Sequence, residues 1–204
     1  SAIGSLSAMG SEAVCDANGG ALLPGLHDHH IHLAATAVGR RSVQCGPPEV
    51  VSEAQLAAAL SAPGEGWLRG IGYHESVAGM LDAAQIDAWV RDRPVRIQHR
   101  SGRMWFLNSA ALEVCLTNAA PSPGLEKSDG KWTGRLFDDD PWLRVAAPQS
   151  PPDFTAVSRE LARCGITGIT DMSAANVPSS ASEFDRQIAE GHLLQKTMMA
   201  GTLG

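Results

Sequence analysis

The sequence lacks the features that mark secreted disulfide-rich proteins and membrane-spanning proteins. Its four cysteines in 204 residues show no CxxC spacing. A chain of this length needs no disulfide framework to fold, so we predict buried free thiols and a reducing, cytoplasmic location. No apolar run approaches the roughly 18 residues of a membrane span. The first residues also lack the basic leader and apolar stretch of a signal peptide.

Positive charge is scarce as well. The formal net charge is −6, and the longest basic run is Arg40-Arg41. Nucleic acids and anionic membranes both call for a basic face, so we predict neither of them as a partner. The hydrophobic fraction of 44% and the charged fraction of 19% are those of an ordinary globular chain, which can fill a core.

The order of apolar segments predicts an α/β fold with parallel strands. Residues 21–26 are mostly apolar and lead into a run of polar residues, which is typical of a buried parallel strand with its working groups at the carboxyl end. Near the other end, the pattern predicts a helix over 153–163, a strand over 166–170, a helix over 182–190 and a strand over 193–200. Strands that alternate with helices favour a parallel sheet.

The interval between the first two predicted strands is longer than a loop in a compact domain should be. It contains its own patterns, so we predict that residues 34–150 form an inserted α+β subdomain. The patterns are a capping box at 52–55, strands over 67–73 and 94–99, a helix over 81–90 and a hairpin tip at 130–134. Residues 21–33 are then the first strand, and residues 151–204 hold two further units. A complete (β/α)₈ barrel needs eight strands, so this is either a smaller α/β fold or not a whole protein.

Two histidines in the first strand carry the clearest chemistry. Residues two apart in a strand face the same way, so Asp28, His30 and His32 are predicted to share one face. His30 and His32 can then bind one divalent ion such as Zn²⁺, with Asp28 orienting a ligand. His29 faces the other way and is predicted to be a packing or hydrogen-bonding residue.

A metal site at this position needs more than two histidines. A catalytic zinc usually has three protein ligands, yet no second HxH, HxxxH or HExxH occurs downstream. Asp171 ends its predicted strand and either faces the same side or serves as a helix-capping or loop aspartate. A polar or core role for His30 and His32 is the alternative to metal binding, because seven histidines can produce an HxH pair by chance.

The segment Pro24-Gly25-Leu26-His27-Asp28-His29-His30-Ile31-His32-Leu33 resembles the first-strand motif of the amidohydrolase superfamily. The resemblance is closest to the amidohydrolase 3 branch, which includes N-substituted formamide deformylase-like enzymes. Further motifs match that branch in order: Gly66-Trp67-Leu68-Arg69-Gly70, Arg93-Pro94-Val95, Asn108-Ser109-Ala110-Ala111-Leu112, Gly130-Lys131-Trp132-Thr133-Gly134 and Gly165-Ile166-Thr167-Gly168-Ile169-Thr170-Asp171. The matches extend from about Ile3 to the end of the chain.

This resemblance implies a distorted (β/α)₈ barrel with an insertion after its first strand, preceded by a small β-sandwich of which residues 1–20 are the last part. It implies that His30 and His32 bind one or two divalent ions, zinc with iron or manganese as alternatives. The implied activity is hydrolysis of an amide or formamide-type C–N bond in a small, non-peptide molecule. The metal activates water, and an acidic residue delivers the proton to the leaving nitrogen.

Two positions depart from the branch. Arg103 occupies the segment where the branch typically has a histidine, and Asp138 follows the Thr-Gly where it often has a glutamate. Arg103 and Asn108 are our candidates for substrate binding. The family's later ligands and its catalytic aspartate have no counterpart here, so no catalytic residue is assigned. We expect a fragment that lacks both ends of the family's fold and is inactive by itself.

Two other hypotheses remain at this point. One is a non-catalytic remnant with at most weak metal binding, and the other is an unrelated small α/β protein with structural histidines. A partial barrel leaves open strand edges and an uncovered apolar face, so we also predict self-association.

Overall fold

The computed structural model describes Gly10 and residues 16–148, 151–174 and 176–201. Most of the predicted sandwich remnant, residues 1–20, lies outside the described residues. At its end, residues 17–20 form a turn in which the Gly20 backbone N–H donates to the Ala17 carbonyl oxygen at 2.8 Å.

Strands and helices alternate along most of the described chain. In order they are β1 (Leu26–Ile31), α1 (Leu33–Arg40), β2 (Val43–Gln44), α2 (Glu53–Leu60), β3 (Leu68–Tyr73), α3 (Ala83–Trp89), β4 (Val95–His99), β5 (Met104–Leu107), α4 (Ser109–Asn118), β6 (Leu125–Ser128), β7 (Lys131–Phe137), α5 (Asp140–Ala146), α6 (Thr155–Arg163), β8 (Ile166–Asp171), α7 (Pro178–Ala189) and β9 (Lys196–Met199). The predicted α/β class is therefore confirmed.

These strands form two sheets. The first, which we call the parallel sheet, has the order β1-β8-β9. The second, the mixed sheet, has the order β2-β3-β4-β5-β7-β6, with β2 to β4 parallel and the other neighbours antiparallel. All strands of the mixed sheet lie between β1 and β8 in the chain. In the parallel sheet, β1 and β8 are each followed by a helix, as strands are in a (β/α)₈ barrel. That further strands complete such a barrel stays a prediction.

Helix starts follow from capping residues. Asp82 and Gln85 form a reciprocal capping box at the start of α3. Ser52 caps α2 as predicted, but the Gln55 side chain accepts from Val51 N–H and not from the Ser52 backbone. The predicted start of the helix at 182 is wrong. α7 begins four residues earlier, at Pro178, whose fixed φ suits the first turn of a helix.

The buried apolar residues fall into three clusters. Two belong to the mixed sheet and its helices, the first centred on Tyr73, Ile97 and Phe106 and the second on Leu107 and Leu136. The third lies between the parallel sheet and its helices. Its buried members are Ile31, Leu33, Ala37, Phe154, Val157, Ile169, Phe184 and Leu193. Since Leu33 and Ala37 belong to α1, that helix packs with the parallel sheet.

The cysteines are free thiols in the described part of the chain, as predicted. Cys45 and Cys115 are buried, and burial raises their pKa values to about 12 and about 11. Cys164 is exposed at the end of α6, so the prediction of burial is wrong for it, and Cys15 lies outside the described residues. Among the described helices, none has the length and apolar character that crossing a bilayer requires.

Candidate functional site

The predicted metal motif lies at the carboxyl end of β1. Its pairing with β8 is irregular between Asp28 and Ile31, and the strand ends at Ile31. His32 therefore lies just past the strand, as the residue that precedes α1, which corrects the prediction that it belongs to the strand. The helix starts here because the His32 carbonyl oxygen accepts from the Thr36 backbone N–H.

The imidazoles of His30 and His32 nevertheless lie together. Their ring centroids are 5.2 Å apart with nearly perpendicular planes, and both residues are exposed. His27 and His29 form a separate pair with centroids 4.5 Å apart. This pairing agrees with the predicted alternation of side chains along the strand. Among the described residues, no group of three or more His, Cys, Asp or Glu side chains is arranged to hold a metal ion.

The Asp28 side chain forms a hydrogen bond with the backbone of the motif. Its Oδ1 accepts a hydrogen bond from the His30 backbone N–H at 3.0 Å. Among the described residues, the His30 imidazole has no hydrogen-bonding partner, and the nearest polar side-chain contact of His32 is Ser173 Oγ, 3.5 Å from Nδ1. Ring nitrogens of both histidines are thus available as ligands, which suits two positions of a divalent metal site.

Asp171 has the loop role that was one of its two predicted alternatives. Its buried carboxylate accepts from the backbone N–H groups of Leu33 at 2.7 Å and Ser173 at 3.0 Å, and from the Asn176 side chain at 2.9 Å. Burial raises the pKa of Asp171, but these hydrogen bonds outweigh it and the net shift is downward. The carboxylate thus joins the start of α1 to the end of β8.

His27 has a structural position. Its Nε2 lies 2.9 Å from Thr170 Oγ1 on β8. Its ring covers Gly168, where an added Cβ would lie 2.5 Å from Nδ1, so only glycine fits beneath it. His29 packs against this ring and is exposed on its other side.

A cavity of about 560 Å³ adjoins His32. Its wall combines residues that follow β1 and β8 with one face of the mixed sheet. The polar and aromatic lining residues are His32, Ser173, Arg69, Arg96, Gln98, Trp105, Asp140 and Arg144. Arg69 and Arg96 are register partners on β3 and β4, and Gln98 is opposite Trp105 on β5. Sheet register therefore assembles this wall from segments distant in the sequence.

The two arginines are partly buried beside an aromatic ring. The guanidinium carbon of Arg69 lies 5.4 Å from the Trp105 ring centroid, and that of Arg96 lies 5.9 Å from it. Burial, followed by the charge of Arg96, lowers the pKa of Arg69 to about 10, and burial also lowers the pKa of Arg96. Both groups remain cationic at neutral pH. Sequence reasoning missed them as site residues, because their approach depends on the register of β3 and β4.

The predicted substrate-binding residues lie elsewhere. Arg103 is exposed and forms a two-point ion pair with Asp138, with distances of 2.7 and 2.9 Å, so the two positions that depart from the branch contact each other. Asn108 is buried and caps α4. Its amide oxygen accepts from Val95 N–H and Ala111 N–H, and its amide nitrogen donates to two backbone carbonyls. Because these contacts occupy its polar atoms, Asn108 is not carried into the proposed substrate site.

The structure also brings together two histidines for which no partner was predicted. His99 Nε2 lies 2.9 Å from Glu75 Oε2 at the ends of β4 and β3, and the rings of His74 and His99 stack at 6.0 Å. Hydrogen bonds from its own backbone and from His99 lower the pKa of Glu75. Each imidazole Nδ1 also contacts the serine two residues further on, so a repeated His-x-Ser pattern was the available signal.

Comparison with known proteins identifies relatives of this chain. Residues 13–189 match the model of the amidohydrolase family. The chain is 29% identical to an N-substituted formamide deformylase of Arthrobacter pascens over 139 residues, which cover 61% of this chain and 26% of that protein.

The fold of this chain resembles the crystal structures of two uncharacterized metal-dependent hydrolases. The one from Pyrococcus horikoshii OT3 has a TM-score of 0.68 at 16% identity, with 87% of this chain and 36% of the other covered. The one from Pyrococcus furiosus has a TM-score of 0.67 at 18% identity, with 87% and 37% covered. The chain thus spans about a quarter of the curated relative and little over a third of each solved structure.

Proposed function

Because this chain belongs to the amidohydrolase family, which is a family of hydrolases, we propose that the protein carrying it is a metal-dependent hydrolase of C–N bonds in small, non-peptide amides or formamides. His30 and His32 are the proposed metal ligands. The observation that carries this proposal is the pair of exposed imidazoles, with centroids 5.2 Å apart, at the carboxyl end of a parallel strand. Family membership also excludes the hypothesis of an unrelated protein.

The donors present fit a divalent transition metal in part. Two neutral imidazoles suit zinc, and they suit iron or manganese as alternatives. When bound, such an ion supplies Lewis acidity and lowers the pKa of water toward neutrality. One ion or two is compatible with these two ligands at the end of β1, and further ligands must come from other residues of the site.

The role of this chain in that chemistry is to position the imidazoles. Asp28 fixes the backbone at His30 through its hydrogen bond to the His30 N–H. Asp171 holds the Leu33 N–H, which fixes the residue next to His32 relative to β8. Ligands held by a rigid surrounding are preorganised, and this reduces the cost of ordering them on metal binding. Two ligands do not form a preorganised catalytic site, so we propose that hydrolysis requires residues beyond those of this chain.

A non-catalytic remnant with weak metal binding is the second candidate. It is favoured by the lack of a third His, Cys, Asp or Glu beside the pair in the described residues. Metal affinity separates the two candidates, because a catalytic centre retains its ion during purification.

Metal content by mass spectrometry tests the proposal. We expect near-stoichiometric zinc, iron or manganese in the wild-type protein and none in the His30→Ala, His32→Ala double variant. The matched control is the double variant His27→Ala, His29→Ala, which removes two histidines from the same strand and should keep its metal. The longer protein that carries this chain, once loaded with metal, should also hydrolyse members of a panel of small amides and N-formyl amines, whereas this chain alone should not.

Two results would contradict the proposal. One is a wild-type protein without bound metal after dialysis against micromolar zinc. The other is equal metal loss in the two double variants, since this would mean that general unfolding, not ligand removal, releases the ion. Metal binding by the longer protein without hydrolysis of any amide in the panel would favour the remnant.

A further inference from the structure

We propose that Arg69 and Arg96 form a subsite for an organic carboxylate, in the cavity that His32 also lines. The assignment of this carboxylate to the substrate rests on the proposed function, whereas the binding of a carboxylate does not. The hydrolase would then act on amides that carry an acidic group.

The first argument is the unsatisfied hydrogen-bonding capacity of the two guanidinium groups. In the described residues, Nε of Arg69 and Nε of Arg96 are buried without a hydrogen-bonding partner. Arg69 donates to Gln98 Oε1 at 3.2 Å, while the contacts of Arg96 are the faces of Trp67 and Trp105 at 5.7 and 5.9 Å. A guanidinium carries five N–H donors, and a buried donor that stays unpaired is costly. Both arginines line the cavity, so an acceptor bound there would pair with guanidinium N–H groups that have no protein acceptor in the described residues.

The second argument is charge. Arg69 and Arg96 are direct partners on neighbouring strands, an arrangement in which like charges repel. The charged residues that line the cavity are three arginines, including Arg144, and a single carboxylate, Asp140. The Asp140 Oδ1 already accepts a hydrogen bond from Trp105 Nε1. The cavity therefore holds excess positive charge, and an anionic ligand would offset it.

The third argument selects an organic carboxylate over an inorganic anion. A planar guanidinium fork matches a carboxylate with two parallel hydrogen bonds. Apolar groups line the same cavity and would contact the rest of such a ligand. They are Ala34, Ala35, Val38, Leu143 and the ring of Trp105. A bare inorganic anion would leave this apolar surface exposed to water.

Calorimetric titration of the purified protein in EDTA tests the subsite, with benzoate as the probe. We expect benzoate to bind the wild type and to bind Arg96→Met at least about tenfold more weakly, as loss of a charge-assisted, two-point contact predicts. The matched control is Arg100→Met, which removes the same charge from an exposed residue next to β4 outside the cavity. Its benzoate affinity should equal that of the wild type, and benzyl alcohol should bind none of the three.

Circular dichroism and thermal unfolding establish whether Arg96→Met is folded. Methionine fills the space between the two indoles without an unpaired donor, so the variant should unfold at or above the wild-type temperature. If it does not fold, Arg69→Lys replaces it, because lysine keeps the charge and removes the fork, and benzoate affinity should still fall.

Equal benzoate affinity in the wild type and the folded arginine variants would overturn the subsite. Inorganic phosphate binding as tightly as benzoate would overturn the preference for an organic carboxylate. Because the titration needs neither metal nor turnover, its failure is distinct from failure of the hydrolase proposal. Loss of benzoate binding in Arg96→Met together with a metal-free wild type would leave the subsite in place and reject the hydrolase.

Discussion

The parallel and the mixed sheets differ in how completely they are covered. The mixed sheet contributes two of the three buried clusters and holds most of the large buried side chains. The parallel sheet and its flanking segments carry most of the exposed large apolar residues in the described chain. These are Leu22, Leu23, Leu26, Met172, Val177, Ile188, Leu194 and Met198.

Most of the buried core therefore lies in one sheet, whereas the predicted metal ligands lie in the other. The mixed sheet holds two of the three buried clusters, and it presents the two arginines on one face. The parallel sheet has a small core, yet it supplies the predicted metal ligands at the end of β1. The cavity that joins them takes its wall from both sheets. The proposed metal ligand His32 and the proposed carboxylate subsite therefore meet where the two sheets adjoin.

The largest expected effect comes from the core of the mixed sheet. Phe106 is fully buried there, in edge-to-face contact with Tyr73 at 5.2 Å. Phe106→Ala should lower the free energy of unfolding by about 3–5 kcal/mol, because the cavity left behind adds to the lost burial. Urea denaturation measures this loss. The exposed Met80→Ala is the control and should change stability by less than about 0.5 kcal/mol. A similarly small change for Phe106→Ala would mean that the mixed sheet is not the stable part.

A smaller and more local effect is expected from Asp171→Asn. The variant loses charge-assisted bonds to the Leu33 N–H and the Ser173 N–H, which should cost about 1–3 kcal/mol. Native-state hydrogen exchange should then become faster for amides of β1 and β8 and stay unchanged for β3 and β4. Equal acceleration in both sheets would show that they open as one unit and would remove the contrast between them.

The same carboxylate makes the parallel sheet sensitive to acid. The folded-state pKa of Asp171 is shifted downward from an unfolded value of roughly 3.9. Its contribution to stability is therefore fully present above about pH 4 and is lost as the pH falls through the folded value. The protection factors of the β8 amides, which are the exchange rates corrected for the intrinsic pH dependence of amide exchange, should fall below pH 4 in the wild type and show a weaker pH dependence in Asp171→Asn.

The smallest effect on stability is expected at the exposed apolar side chains of the parallel sheet. A substitution there should instead change the oligomeric state. Met198 on β9 is 58% exposed. If these apolar side chains cause self-association, Met198→Lys should shift the protein toward the monomer in light scattering and change the unfolding free energy by less than about 0.5 kcal/mol. Met80→Lys, near the mixed sheet, should leave the assembly unchanged. A wild-type protein that is already monodisperse and monomeric would contradict the prediction.

Local features of the fold were predictable, and long-range ones were not. β8 and β3 follow from apolar runs, and α2 follows from its Ser52 cap. The end of β1 at Ile31 was missed because it depends on Asp171, which is distant in the sequence and accepts the N–H of Leu33. Strand periodicity alone gave no sign of that contact.

The candidate site likewise has local features that were predictable and long-range contacts that were not. The close approach of His30 and His32 follows from their spacing. The pairing of Arg69 with Arg96 depends on the register of β3 and β4, and that of Arg103 with Asp138 depends on β5 lying next to β7. Spacing cannot reveal register between strands that are far apart in the sequence. Asn108 caps α4 through backbone contacts that spacing did not reveal, and a contact between Asn108 and substrate stays a prediction.

The ion pair between Arg40 and Glu160 has a consequence for how the chain folds. Arg40 ends α1, before the mixed sheet begins, and Glu160 lies on α6, after it ends. Pairing β1 with β8 closes a long loop, and the entropic cost of closure rises with the number of free residues in the loop, by about 0.6 kcal/mol for each doubling. In the folded protein this ion pair joins residues at the two ends of that loop, which contains all strands of the mixed sheet. If the mixed sheet folds first, fewer free residues remain in the loop, so the entropic cost of pairing the histidine-bearing strand with β8 is lower.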